Sequence, residues 1–276
     1  MRSAARESNA MFARGLARAF AGAVIFGLPL MMTMEMWWLG FHMEPARLAL
    51  LLAVFLPFLV LLSWHSGFEP TFSWRDDVVD ALVAFAVGIV ASLVILSACG
   101  LLARDMAWRE IVGKVSLQAL PASIGALLAQ TQLGERDEAK SPRGGAEAYA
   151  SELFIMAVGA LFLAFNLAPT DEMMVIALQC TEWQAIVLML LALAAMHAFV
   201  YALAFRGSHD KPRDASAWSI FLRFTVTGYA LVLLLCAWML WSFGRFDGLS
   251  LLHAIKAVAV LAFPAAIGAA AARLIL

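Results

Sequence analysis

VGALFLAFNLAPTDEM, residues 158–173, decides the reading, because AGAVIFGLPLMMTMEM at residues 21–36 is a second copy of it. With a shift of 137, Gly22, Ala23, Leu30, Thr33, Glu35 and Met36 coincide with Gly159, Ala160, Leu167, Thr170, Glu172 and Met173. Each copy sets a carboxylate at one edge of a hydrophobic helix, where an unpaired charge is expensive enough to need a partner, water or an ion. Two such helices suggest one shared site.

Composition fixes the class. At 63% apolar and 14% charged over 276 residues, with a mean hydropathy of +0.86, the chain lies far outside the soluble range of about 45–50% apolar and about 25% charged. It reads as an all-α, polytopic helical bundle in a lipid bilayer. A net charge of -1 gives no general pull toward nucleic acid. Cys99, Cys180 and Cys236 form neither a CxxC pair nor a Cys/His cluster, so they read as buried inert thiols. Arg2, Arg6, Arg14 and Arg18 precede the first apolar run, and no small-x-small cleavage site closes that run before Trp37 and Trp38. The run reads as a retained span, with MFARGLARAF at 11–20 as a separate basic interfacial helix before it.

A span needs about 20 apolar residues. Eight stretches qualify: residues 18–40, 47–66, 79–103, 110–131, 150–168, 183–205, 217–243 and 251–274. The fourth holds Lys114, Gln118 and Pro121, and the placement of Lys and Arg decides for keeping it. With eight spans, Arg2, Arg6, Arg14, Arg18, Arg75, Arg136, Lys140, Arg143, Arg206, Lys211, Arg213 and Arg273 share one side, against Arg47, Arg104, Arg109, Lys114 and Arg245 on the other. The first side is then the cytoplasm, and both termini lie there.

A second repeat closes the halves. ALPASIGALLA at 119–129 and AFPAAIGAAAA at 262–272 agree at seven of eleven positions under a shift of 143. The order of matches is the same in both halves, which implies a duplicated four-span unit: residues 1–133, a cytoplasmic linker at 134–148, and residues 149–276. An even number of spans returns the chain to its starting side, so the units are parallel and related by a pseudo-twofold axis along the membrane normal. Such an axis can bring Glu35 and Glu172 together.

The chemistry expected there has two forms. Pro169 disfavours helix at Ala168, and Thr170 suits the N-cap of a new turn holding Asp171 and Glu172. Broken helices beside carboxylates are where transporters hold cations or protons. In that form Glu35, Glu172, Asp171, Thr33, Thr170 and Asn166 supply oxygen ligands for a hard cation or proton at the outer mouth, and Lys114 and Lys256 compete as counter-ions. In the other form Glu35 and Glu172 are simply ion-paired to Lys114 and Lys256, a matter of packing specificity. His197 reads as a locally satisfied histidine or a proton relay. Pro121 with Gly125 and Pro264 with Gly268 read as close-packing faces or as hinges. Asp76, Asp77 and Asp80 read as a solvated loop face before the third span or as an inner cation mouth. No catalytic motif, metal-ligand spacing or cofactor signature is present, so no enzyme is expected.

RGLARAFAGAVIFGLPLMMTMEMWWLGF at 14–41, with NLAPTDEM and LPASIGALLA, resembles a family of bacterial integral membrane proteins classed as a domain of unknown function. The resemblance covers nearly the whole chain. It implies an inner-membrane protein of no assigned activity, one span fewer than the eight counted above, and a small single-span protein encoded beside it as a partner. The functional expectation is therefore a channel or transporter for a small cation or protons. Its alternative is a non-transporting subunit or sensor that binds a single-span partner. A homo-oligomer is compatible with either.

Overall fold

The computed structural model describes residues 2–66, 74–103, 105–133, 146–201, 218 and 221–275. Arg104, the linker at 134–145 and the basic stretch at 206–216 lie outside the described residues. The regular structure described is helical throughout, and eight of its helices are long and apolar enough to cross a membrane. The chain divides into two compact units, Met1–Lys140 and Ser141–Leu276.

In the first unit, α1 (Arg2–Met31) is followed by a short α2 (Met34–His42), then α3 (Pro45–Ser66), α4 (Trp74–Ala98) and α5 (Trp108–Leu133). The hub is α5, which packs against all four of the others. Of its apolar window 83% is buried, against 28% for α3 and 39% for α4. That explains why the fourth span can hold Lys114, Gln118 and Pro121. A helix facing protein instead of lipid tolerates Lys114, Gln118 and a run of small residues, whereas α3 and α4 must present apolar side chains to acyl chains.

Small residues let α5 approach its neighbours at backbone distance. A Cβ on Gly22 would strike the carbonyl oxygen of Gly125, and one on Gly125 would strike that of Gly22. One turn along, a Cβ on Gly27 would come within 3.2 Å of the Ala122 Cβ. On a second face, Gly88 of α4 lies against the Ala119 carbonyl and Ser123.

The second unit runs α6 (Ala146–Leu167), a short α7 (Asp171–Gln179), α8 (Glu182–Tyr201), a π-helical turn (Phe221–Val226) leading into α9 (Thr227–Ser242), and α10 (Leu251–Ile275). Here α10 touches the other four helices. Gly159 and Gly268 meet as Gly22 and Gly125 do, each without room for a Cβ below the other's carbonyl. The inter-span turns after α4 and α9 match as well. Gly100 and Gly244 take φ of 71° and 70°, and the next amides, Leu101 and Arg245, each donate to a carbonyl five residues back, at 2.8 Å. Glycine takes that left-handed conformation at least cost.

Three expected boundaries move. Residues 11–20 are part of α1 itself, not a separate interfacial helix, because nothing between Arg2 and Phe20 ends the helix. The first span does not reach residue 40; it stops at Met31, and Glu35 sits in α2. The third span begins at Trp74, so Asp76, Asp77 and Asp80 are helical, and Asp77 and Asp80 are buried instead of facing solvent. They continue the stripe of Ala81, Ala84 and Gly88 that α4 turns inward. Both α5 and α10 continue through Pro121 and Pro264. Trp64, Trp74, Trp108, Trp183 and Trp218 are exposed near helix ends, as a membrane-interface belt requires.

The glycine crossings predict a specific sensitivity. Gly125→Ala and Gly268→Ala must each push two helices apart, at a cost of about 1–3 kcal/mol. Thermal unfolding in detergent should show each variant several degrees below wild type; an unchanged midpoint would show that the helices are not in backbone contact.

Candidate functional site

The breaks that produce α2 and α7 hold most of the candidate residues. The first lacks a proline at the break itself, yet the chain leaves helix at Met32–Thr33 and Thr33 is extended, with φ -94° and ψ 121°. The last four carbonyls of a helix need outside donors, and here all four have one. The Leu28 oxygen accepts from the Met32 amide at 3.1 Å and that of Leu30 from the Thr33 amide at 3.1 Å. The Thr33 hydroxyl donates to Pro29 at 2.7 Å and the Trp37 indole to Met31 at 2.6 Å. Thr33 thus closes the helix behind it and makes no side-chain cap for the one ahead. The other face of α2 lies on α5, with Gly40 against the backbone of Lys114.

The second break follows the proline rule. Ala168 and Pro169 separate α6 from α7, and Thr170 is extended at φ -74° and ψ 142°. Its hydroxyl also turns backward, donating to the Leu167 carbonyl at 2.8 Å. Asn166 bonds within its own helix, its Nδ2 donating to the Phe162 carbonyl at 2.7 Å.

Charge fastens α7 at both ends. Asp171, in its first turn, pairs with Arg245 at 2.9 Å. At its other end the Cys180 carbonyl accepts from the buried Lys256 ammonium at 2.7 Å. Both contacts have the sign that the helix dipole favours, an acid at the N-terminus and a cation at the C-terminus. In the first unit the Lys114 ammonium pairs within its own helix, with Glu110 at 2.7 Å, and lies 3.7 Å from the Met106 sulfur. The two lysines thus take different contacts, a carboxylate of the same helix in the first unit and a carbonyl at the end of α7 in the second. The reason lies in the register: under the shift of 143, Lys114 corresponds to Ala257 and Lys256 to Gly113, so the two lysines leave their helices about 100° apart.

Glu35 is half-buried in the first unit and Glu172 exposed in the second. Among the described residues no group of three or more His, Cys, Asp or Glu could hold a metal ion. His197 is a local contact: its Nδ1 lies 3.1 Å from the buried Thr225 hydroxyl in the π-helical turn, with Phe221 edge-on to its ring.

One fastening escaped the sequence reading. Arg273 pairs with Glu152 at 2.6 Å and lies over the Phe224 ring, 4.7 Å from its centroid. Beside it, the Tyr149 hydroxyl donates to the Arg223 carbonyl at 2.8 Å. The signal was available, since Glu152 and Arg273 are opposite charges near the ends of the two helices that cross at Gly159 and Gly268.

Comparison with known proteins adds the family and little else. The family model described as "Putative integral membrane protein (DUF2391)" matches residues 15–276. No curated protein and no solved structure matches the chain.

The two lysines should differ on substitution. Lys256→Met removes a buried charged hydrogen bond to a carbonyl, a loss of about 1.5–3 kcal/mol. Lys114→Met breaks a buried (i, i+4) ion pair and leaves Glu110 without its cation, a larger loss of about 3–5 kcal/mol. Unfolding midpoints of the two variants in the same detergent test the order, and a Lys114 variant less damaged than the Lys256 one would refute it.

Proposed function

We propose that this chain, which belongs to the integral membrane protein family matched above, is a non-transporting membrane subunit or sensor whose charged groups serve packing and whose surface receives a small single-span partner. In this reading the two units are parallel, pseudo-symmetric four-span repeats in the bacterial inner membrane, with both termini cytoplasmic. The common order of one long, one short and three long helices supports the repeat.

The observation that carries the proposal is the state of the α1 break. A cation held at a broken helix replaces its hydration shell with freed backbone carbonyls. Every terminal carbonyl of α1 already accepts a hydrogen bond from Thr33, Met32 or Trp37. In the second unit, Arg245 and Lys256 are spent on α7 itself.

The competing proposal is the channel or transporter in which Glu35, Glu172, Asp171, Thr33, Thr170 and Asn166 hold a cation or proton. One feature favours it. Glu172 is exposed and, among the described residues, makes no ion pair.

Purified protein in liposomes separates the two. Flux of protons, sodium, potassium and calcium should stay at the level of empty vesicles, and mild-detergent purification should retain a small single-span protein. Flux that falls in a Glu35→Gln, Glu172→Gln double variant would replace this reading with the transport one.

A further inference from the structure

Gln118 is the most anomalous side chain in the first unit. It is 0% exposed, yet neither its Oε1 nor its Nε2 has a hydrogen-bond partner. A carboxamide sealed in a membrane helix bundle without partners is disfavoured strongly enough to call for an explanation.

The helix register shows what Gln118 faces. Lys114, Gln118, Ala122, Gly125 and Ala129 lie on one stripe of α5, within about 80° of each other at 100° per residue. The other members all meet α1 or α2: Lys114 lies against Gly40, Ala122 against Gly27, and Gly125 and Ala129 against Gly22. Gln118 falls midway between the Gly27 and Gly40 contacts, which is the level of the break at Met32–Thr33. The terminal methyl of Met31 lies beside Gly27 at this same interface.

The break adds a donor. Met34 is the first residue of α2, so its amide has no acceptor within the helix. The carbonyls on the other side are already covered. The groups left for a guest are therefore the carboxamide oxygen, the carboxamide NH2 and a backbone amide, a neutral set with more donors than acceptors.

The second unit supplies the contrast. Its equivalent residue under the shift of 143 is Leu261, equally buried, opposite the Ala168–Thr170 break. The fold accepts leucine at this position, so packing alone does not call for glutamine in the first unit.

We infer that the α1–α2 break and Gln118 form a buried site for a small neutral hydrogen-bonding molecule, and that its occupant is water. Water can accept from the Met34 amide or the carboxamide NH2 and donate to the carboxamide oxygen, within the about three hydrogen bonds that buried waters make. A cation is excluded from this set by its shortage of acceptors.

Synchrotron hydroxyl-radical footprinting of the intact protein tests this, because radicals formed from an internal water oxidise the side chains beside it. Met31, Met156 and Met239 are all fully buried, and only Met31 neighbours the site. Met31 should be oxidised several-fold faster than Met156 and Met239, and Gln118→Leu should bring it down to their rate. Met31 at the control rate in wild type overturns the inference without need of the variant. So does a fast Met31 that is unchanged in Gln118→Leu.

Discussion

Backbone contact between the first and last spans of each unit is the constraint on which the rest depends. Lipid tails are as apolar as leucine, so helices in a bilayer gain nothing by hiding hydrophobic surface and must associate through close packing and polar contacts. Gly22 on Gly125 and Gly159 on Gly268 achieve the closest approach possible, with no Cβ between two main chains. Once α1 is seated on α5 and α6 on α10, those last helices become the hubs of their units. A hub is shielded from lipid, and this is why Lys114, Gln118 and Lys256 can be buried there.

The same seating sets the role of the short helices. Each lies across its hub at the end of the first span, and each break leaves backbone groups that the bilayer cannot satisfy. Thr33 and Thr170 resolve this alike, turning their hydroxyls back onto the preceding helix. Beyond that the units diverge. α2 rests on Gly40 and Trp37, whereas α7 is tied by Arg245 and Lys256. The hubs also choose different second neighbours, α4 in the first unit and α8 in the second. The two halves share one scheme and have separate polar chemistry.

Much of this was legible in the sequence. Eight apolar runs gave eight long helices, including the fourth, because length and the distribution of basic residues outweigh the few polar positions within it. The repeated glycines, Gly22 with Gly159 and Gly125 with Gly268, coincide with the crossings because close approach leaves no alternative residue. Other features were not legible. The break after Met31 has no proline of its own and is held by side-chain bonds that Thr33 and Trp37 make back to Pro29 and Met31, for which the sequence carries no motif. Asp77 and Asp80 carry no sign in the local sequence that α4 extends past them and turns them inward. The contacts of Lys114 and Lys256 differ because the two lysines are one residue out of register between the repeats.

The account rests on α1 being seated against α5, and disulfide trapping in native membranes measures that most directly. In a Gly27→Cys, Ala122→Cys variant the two Cβ atoms would start 3.2 Å apart, close to the about 3.5–4.5 Å of natural disulfides. The account predicts rapid formation of an intramolecular bond between the peptides carrying residues 27 and 122, found by mass spectrometry after mild oxidation. A folded, membrane-inserted variant that keeps both thiols free under the same oxidation would contradict it.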